Sequence, residues 1–598
     1  MAAVVAAAVA SAYSPGLSVE APPGDAKSPS DMFGGKNIGF IAGFSLLVNS
    51  ITGPGVPQLP NMYSEAGWLL PTLCILGVWA MTTLSSAMFC EAMRRMPGNG
   101  QFDGRAEYTT VVRHYLGEWW YVAALLGLNA SLLSLNVASI VQSTQVLDDA
   151  ISAAFGKTCA LNFTPWANEV RDARGNRMHL WGSDHFVSCI STAVLDGGDA
   201  WGCHIVLTAG FALVAAMAIP CGRWNLDDNM VIQTVALSLT FLCWMSWIGI
   251  SIANMDPAGM ALPAINLDSE TGSQAGILGT VLFNFGFVTT VPSWVNEKRP
   301  HVSVNRTLWL STTFCIAVYI AVGAAVAAAF GEVLQGTVTN TCVRRGSDIS
   351  FTCLTSMLDV LPNRSLVPAG RAAGLAIQVL VYGFPIVAVV SSIPVYSIVV
   401  KYNLLETGFS RTSAFLLAVL LPWALAFPLT YMPNALSQFI NFTSLVFVTF
   451  TNFVVPCWLY IVLQRQEPQI REGCDRSVED GTPTTKAPSS GSAASSEADS
   501  DASSVEVAFR EASISEVSLS SPAVCNLPAC SCAARSPSAV CMHHAIPPSW
   551  RCSARSKVAC AALMASVLTS GAFVAFILTV RDSSYIVDRQ VCALVSQR

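Results

Sequence analysis

The chain has 598 residues, of which 53% are hydrophobic and only 12% carry Asp, Glu, Lys or Arg. A soluble globular chain carries about a quarter charged residues, so this composition excludes an ordinary soluble fold. A net charge of −6 leaves no electrostatic footprint for a nucleic-acid partner.

Residues 1–36 open with an Ala/Val-rich stretch, Met1 to Ala12, that lacks a basic n-region. They read as a disordered cytosolic tail. Apolar runs long enough to cross a bilayer then recur. They lie at 38–60, 67–92, 119–147, 203–221, 229–253, 275–296, 307–330, 372–400, 412–430, 435–463 and 558–580. In chain order they are numbered spans 1 to 11. The expected fold class is an all-α polytopic membrane protein with about 11 transmembrane helices. Its core would run over 37–463 and its last helix, with a short outer tail, over 558–598. Between them, 464–557 is first Ser- and acid-rich, as in Ser489-Ser490-Gly491-Ser492, and predicts disorder. It then holds Cys525, Cys530, Cys532, Cys541, His543 and His544, whose spacing matches no paired Cys-x-x-Cys zinc pattern. A reduced tether is the plainer reading, and no metal or other cofactor is expected.

Charge in the short loops sets orientation. Arg94, Arg95, Arg105 and Arg113 lie between spans 2 and 3, Arg223 follows span 4, and Lys298, Arg299 and Arg306 follow span 6. Lys401 and Arg411 lie between spans 8 and 9. The opposite loops, 61–66, 254–273 and 431–434, carry no Lys or Arg. The N-terminus is therefore expected in the cytosol and the C-terminus outside, in a plasma membrane or a vacuolar or lysosomal one. Two long loops, 148–202 and 331–371, fall on the outer side, which favours disulfides. Cys342 with Cys353 is the expected bridge in the second, with one bridge in the first, Cys159 with Cys189 being one choice; connectivity is not readable from sequence. Asn162 and Asn363 are glycosylation sequons on the same side.

Span 1 contains Asn49-Ser50-Ile51-Thr52-Gly53-Pro54-Gly55-Val56-Pro57-Gln58-Leu59-Pro60. Each Pro removes a backbone donor, and each Gly costs about 1 kcal/mol against Ala in a helix. Such a break is tolerated at membrane depth where it is buried in protein or lines a watery site. Span 6 has a second interruption, around Asn284, Gly286, Phe287 and Thr289, with Pro292 six residues after the Gly. Paired breaks at corresponding positions of two halves point to a transporter site. Span 6 lies five helices after span 1, an odd number, so the second half is inverted, a 5+5 repeat of spans 1–5 and 6–10. Half-helix N-termini offer N–H groups to a carboxylate, and C-termini offer carbonyls to an ammonium. The expected substrate is thus an amino acid, held at the breaks by Gly53, Pro54, Gly55 and Gly286, with the side chains of Ser50, Thr52, Asn284, Phe287 and Thr289 adding selectivity.

No ionisable residue lies near the middle of any span; Glu91, Asp148, Asp149 and Glu297 sit near span ends. A mid-membrane carboxylate relay is therefore not visible. Sodium held by neutral oxygens has candidates in Asn49, Ser391 and Ser392. Proton coupling through a residue at a span end stays open beside it.

Asn49-Ser50-x-x-Gly53-x-Gly55-x-x-x-Leu59-Pro60, followed by Ala66-Gly67-Trp68, resembles the first-helix signature of the amino acid/auxin permease family, within the amino acid–polyamine–organocation superfamily. Val291-Pro292-Ser293-Trp294-Val295-Asn296-Glu297-Lys298 is similar to that family's exit from helix 6, and Glu107 to Gly117 to its connection into helix 3. The resemblance implies broken helices 1 and 6, eleven helices, amino-acid substrates and coupling to protons or sodium. The helix-1 sodium position falls on Asn49, whereas the helix-8 region offers Ser391 and Ser392 in place of an aligned Thr. The insert before span 11 departs from the family's usual short link.

A secondary amino acid transporter is the leading function class. An amino-acid sensor signalling through 464–557 is the alternative. Neither a filter-like carbonyl repeat nor an enzyme's metal pair, nucleophile elbow or phosphate loop appears. An epitope inserted at Ser489 is expected to be reached by antibody from the cytosolic face only, and one after Arg598 from the opposite face. Labelling of both from one face would contradict the span count.

Overall fold

The computed structural model describes residues 35–162, 170–171, 177–178, 187–191, 206–255, 262–266, 276–334, 342–344, 351–353, 357–362, 366–368, 370–430, 435–465 and 554–590. Asn363, nearly all of the tail and most of the insert lie outside them. By contact the chain divides into two units, Met1–Leu463 with Met542–Arg598, and Gln464–Cys541. The first carries the membrane helices.

Among the described residues nine helices are long and apolar enough to cross a membrane, and the bent pair Phe40–Ile51 and Val56–Ala66 makes a tenth. The ten other expected spans appear as Leu69–Arg94, Glu118–Phe155, Ala209–Cys221, Asp227–Ala253, Ile277–Glu297, Val304–Gly331, Arg371–Glu406, Arg411–Leu429, Phe439–Arg465 and Val558–Ile577. This is a multi-pass membrane architecture. Span 3 runs eight residues beyond its expected end at 147, and span 8 runs six beyond 400.

Span 4 corrects the sequence reading. Its helix starts at Ala209, because Val206–Thr208 is a strand and the Thr208 hydroxyl accepts from Phe211 N at 3.2 Å. A short apolar run reads alike in strand and helix. Here the cap decides, since a β-region Thr satisfying an orphan N–H starts the helix at the next residue. At about 1.5 Å per residue this thirteen-residue helix is shorter than the roughly 30 Å hydrocarbon layer.

The fold is also not purely helical. Strands β1 (Lys157–Asn162), β2 (Val170–Arg171), β3 (Arg177–Met178), β4 (Val187–Ser191), β5 (Val206–Thr208), β6 (Cys342–Arg344) and β7 (Phe351–Cys353) form small antiparallel sheets in the two long loops. β1 is central between β4 and β5. It pairs Cys159 with Cys189, and these two are joined by a disulfide with an S–S distance of 1.98 Å. β6 and β7 set Cys342 opposite Cys353 in register. The side chains of Asn162, Cys342 and Cys353 lie outside the described part.

Burial grades the spans. In their most apolar stretches spans 3 and 6 are 94% buried, while spans 5 and 11 are 33% and 28% buried. Spans 5 and 11 carry the apolar outer belt, with Val231, Leu242, Ile252, Leu563 and Phe573 exposed. Such a belt suits lipid, where burial gains nothing for an apolar side chain already in hydrocarbon. Small residues let the inner helices approach. A Cβ on Gly323 of span 7 would lie 2.8 Å from the Tyr63 ring of span 1. Tyr63 cannot readily swing away, because it is fully buried and its hydroxyl meets Thr72 Oγ1 at 2.9 Å. Gly323→Ala is therefore expected to cost about 1–3 kcal/mol through overpacking. Thermal unfolding in detergent would read this as a lowered midpoint; an unchanged midpoint would contradict the contact.

Candidate functional site

Span 1 is broken where its sequence demands. The first half ends at Ile51, and Thr52 leaves helical geometry at φ −83°, ψ 63°. A turn through Gly53-Pro54-Gly55 leads into a 3-10 segment, Val56–Gln58, and then Leu59–Ala66. The two halves are bent by 50°. Span 6 breaks in the same manner. Ile277–Asn284 ends at Phe285 (φ −96°, ψ 20°), a 3-10 turn covers Val288–Thr290, and Val291–Glu297 resumes with Pro292 near its start.

The breaks touch. A Cβ on Gly55 would sit 2.5 Å from Asn284 Nδ2 and 2.6 Å from Oδ1, so only a hydrogen fits against that amide. Neither Gly53 nor Gly55 has a positive φ. Gly55 is thus required by close approach and not by backbone conformation. Gly53 is less confined, its nearest neighbour being the Tyr396 hydroxyl at 3.7 Å. Ser50, Thr52, Asn284, Gly286, Phe287 and Thr289 are all buried at the breaks.

Most exposed backbone groups are answered. Tyr319 donates its hydroxyl to Ile51 O at 2.6 Å, and Tyr396 donates to Ser50 O at 3.1 Å. Val288 N donates to Asn452 Oδ1 at 2.8 Å. The Ser50 and Thr52 hydroxyls donate within their own helix, to Leu46 O and Val48 O, both at 2.8 Å. Thr289 Oγ1 reaches Gly286 O only at 3.5 Å. Asn284 donates to Thr280 O at 2.9 Å and leaves Oδ1 buried with no partner. Among the described residues the Gly55 and Phe287 amides find no acceptor. The joined breaks therefore present two N–H donors and one side-chain acceptor.

The ion candidates meet through a residue that the sequence did not single out. Gln233 of span 5 lies between them. Asn49 Nδ2 donates to both Gln233 O and Gln233 Oε1 at 2.8 Å, and Gln233 Nε2 donates to Ser391 O at 2.8 Å. Ser391 and Ser392 spend their hydroxyl protons on Ala388 O and Val389 O. Asn49 Oδ1 is buried without a partner. A cation placed between Asn49 and Ser391 would have to displace the Gln233 amide. Tyr319, Tyr396, Asn452 and Gln233 were all missed. The available signal was a polar or amphipathic residue inside an apolar span, which by itself reads as packing.

Residues 36–167, covering span 1 to the loop after span 3, match the model of the tryptophan/tyrosine permease family. No curated protein matches the chain. Among solved structures, MhsT in complex with L-phenylalanine is similar at 13% identity and a TM-score of 0.48, covering 70% of this chain and 88% of that one. Mhp1, a nucleobase-cation-symport-1 family transporter in a closed conformation with bromovinylhydantoin bound, is similar at 10% identity and a TM-score of 0.44. That match covers 74% of this chain and 82% of the other.

Replacing Gln233 by Leu would leave the Asn49 amide only the backbone carbonyl of residue 233 and would remove the side-chain donor to the Ser391 carbonyl. Each buried unsatisfied group costs about 1–3 kcal/mol. Gln233→Leu is expected to lower the unfolding midpoint and Gln233→Glu, which keeps an acceptor for Asn49, to lower it less where its carboxyl is neutral. Equal stability of Gln233→Leu and wild type would contradict the bridging role.

Proposed function

We propose that the chain is a secondary transporter that carries amino acids by alternating access, with aromatic amino acids as its preferred substrates. The observation that supports this most is the direct contact of two broken helices five spans apart, Gly55 against Asn284. Five spans is an odd number, so the two halves have opposite sense in the membrane, as an inverted repeat requires.

The chemistry comes from the unanswered groups. A substrate carboxylate is received by the Gly55 and Phe287 N–H groups, at the positive ends of the second half-helices. Its ammonium meets Asn284 Oδ1 and the carbonyl ends of the first halves. In this reading Tyr319 and Tyr396 hold the Ile51 and Ser50 carbonyls in place, so the break keeps its shape when the site empties. Aromatic preference draws on the description of the family matched at residues 36–167. It fits the buried rings of Phe285, Phe287, Tyr319 and Tyr396 beside the breaks. The burial of every breakpoint residue fits an occluded state, from which one bundle of helices rocks against the other.

Uptake of labelled tryptophan, tyrosine and phenylalanine into proteoliposomes tests the reading. Saturable flux, competed by aromatic amino acids and not by charged ones, is expected. Saturable binding with no flux is the result expected of a sensor instead. A Cβ at Gly55 meets the Asn284 amide whereas one at Gly53 meets open contact. Overpacking of about 1–3 kcal/mol, at 1.4 kcal/mol per decade, predicts roughly tenfold lower flux for Gly55→Ala and a smaller loss for Gly53→Ala. The opposite order would displace the site from the contact.

A further inference from the structure

The end of the bundle that carries the N-terminal segment holds buried carboxyls outside the substrate site. Glu107 precedes the short helix Tyr108–Leu116 and is 1% exposed. Its Oε2 accepts from Ser293 Oγ at 2.6 Å and its Oε1 from Asn296 Nδ2 at 2.9 Å, both donors in the second half of span 6. Asn296 also brackets the Ala106 backbone, accepting from its N–H and donating to its carbonyl at 3.2 Å. Glu297, one residue on, is 0% exposed. Its Oε2 accepts from Asp227 N at 3.1 Å and it shares a hydrogen bond with the Tyr402 hydroxyl. Its Oε1 is buried with no hydrogen-bond donor. Glu406, half-buried at the end of span 8, lies beside Thr110 and the Glu107 backbone N–H and has a buried oxygen, Oε2, with no hydrogen-bond partner.

The charges facing this group come from every packed element. Arg105, in the loop before Glu107, approaches Glu297 Oε1 to 3.7 Å and acts electrostatically on all three carboxyls. Asp227, before span 5, adds a fourth negative group beside Glu297. Lys401 of span 8 faces Glu297, but its ammonium is engaged by Gly222 O at 3.1 Å, Arg223 O at 3.4 Å and Trp224 O at 2.8 Å. Asp228 also faces Lys401. Lys298 is turned to the Phe102 ring, 5.2 Å away.

Glu91 shows what a compensated carboxylate looks like in the same chain. It is buried and takes two guanidinium groups, Arg94 at 2.9 Å and Arg95 at 3.0 Å. Among the described residues Glu107, Glu297 and Glu406 face one guanidinium between them, that of Arg105. Burying an uncompensated carboxylate costs several kcal/mol, and like charges in one site drive one group to stay protonated. Burial also pushes the Glu107 carboxyl above the usual carboxylate range, against the opposing pull of Ser293, Asn296 and Arg105. Among the described residues no three His, Cys, Asp or Glu side chains converge to hold a metal ion.

We infer that Glu107, Glu297 and Glu406 form a proton-binding gate that holds this end of the bundle closed while one of the carboxyls is protonated. This deepens the transporter reading and rests on it. The site joins the loop before span 3, the end of span 6 and the end of span 8, and Glu297 lies at the end of the same seven-residue helix that starts at the second break. The N-terminal segment closes over it: Ile38 N donates to Glu297 O at 3.0 Å and Arg299 N donates to Ile38 O at 2.9 Å. Opening this end admits water, lets the carboxyls ionise and releases the proton to that face; closing takes it back. The closed state holds its carboxyl pKa above the water-exposed value. Its advantage is therefore complete below the open-state pKa and is lost as pH rises through the closed-state pKa. Alkaline solution on this face favours opening.

The test uses full-length protein in proteoliposomes with labelled tryptophan, tyrosine and phenylalanine. Counterflow by the wild type, measured first without any pH gradient, establishes transport; its absence sinks the transporter reading and leaves the carboxyl site to spectroscopy. Counterflow is then measured at a series of pH values, the same on both faces. Wild type and Glu118→Gln, a surface control, are expected to exchange substrate several-fold faster at alkaline than at acid pH, and Glu107→Gln and Glu297→Gln to lose that dependence. Retention of the full pH dependence by both variants overturns the proton site. Infrared titration of the wild type serves as the readout that needs no variant and no flux. A protonated carboxyl band at neutral pH is expected, and its absence overturns the proposal.

Discussion

Backbone groups freed inside a bilayer have no water to turn to, and the fold depends on how they are answered. Two breaks create such groups at membrane depth. Tyr319 and Tyr396 cap carbonyls at the end of one half-helix, and Asn452 accepts from the first amide of another. These come from spans 7, 8 and 10, so the breaks are held by helices on several sides. What is left over is chemically specific: the Gly55 and Phe287 amides and Asn284 Oδ1. A zwitterion supplies the complementary groups, an anionic carboxylate for the amides and an ammonium for the oxygen.

The second half of span 6 connects two kinds of chemistry. Val291–Glu297 is too short to flex internally as a helix and is fully buried. Its start carries the break, and Ser293, Asn296 and Glu297 carry the buried carboxyl cluster. A shift of this helix at the substrate end is transmitted to the carboxyls at the other. The N-terminal segment is tied to the same helix through Ile38, two residues before span 1 begins at Phe40. Both broken helices are thus anchored at one end of the bundle.

The spans and both breaks were legible in the sequence because they are written locally, in apolar length and in Gly and Pro placement. The start of span 4 was misread because Val206-Leu207 is apolar in either conformation, and Thr208 decides only as a cap. The partners of the breaks were not legible. Tyr396 meets Ser50 from 346 positions away, and Asn49 and Gln233 are 184 apart. Such pairings belong to the tertiary fold. Glu107 carries no local signal: it sits in a polar loop, and only packing against spans 6 and 8 buries it. Glu297 was visible as a carboxylate at a span end, but its crowding by Glu107 and Asp227 was not.

A structure determined with an aromatic amino acid bound tests the central claim most directly. The carboxylate is expected against the Gly55 and Phe287 amides, with the amino group beside Asn284 Oδ1. Ligand density away from both breaks, with Gly55 still closed against Asn284, would contradict it.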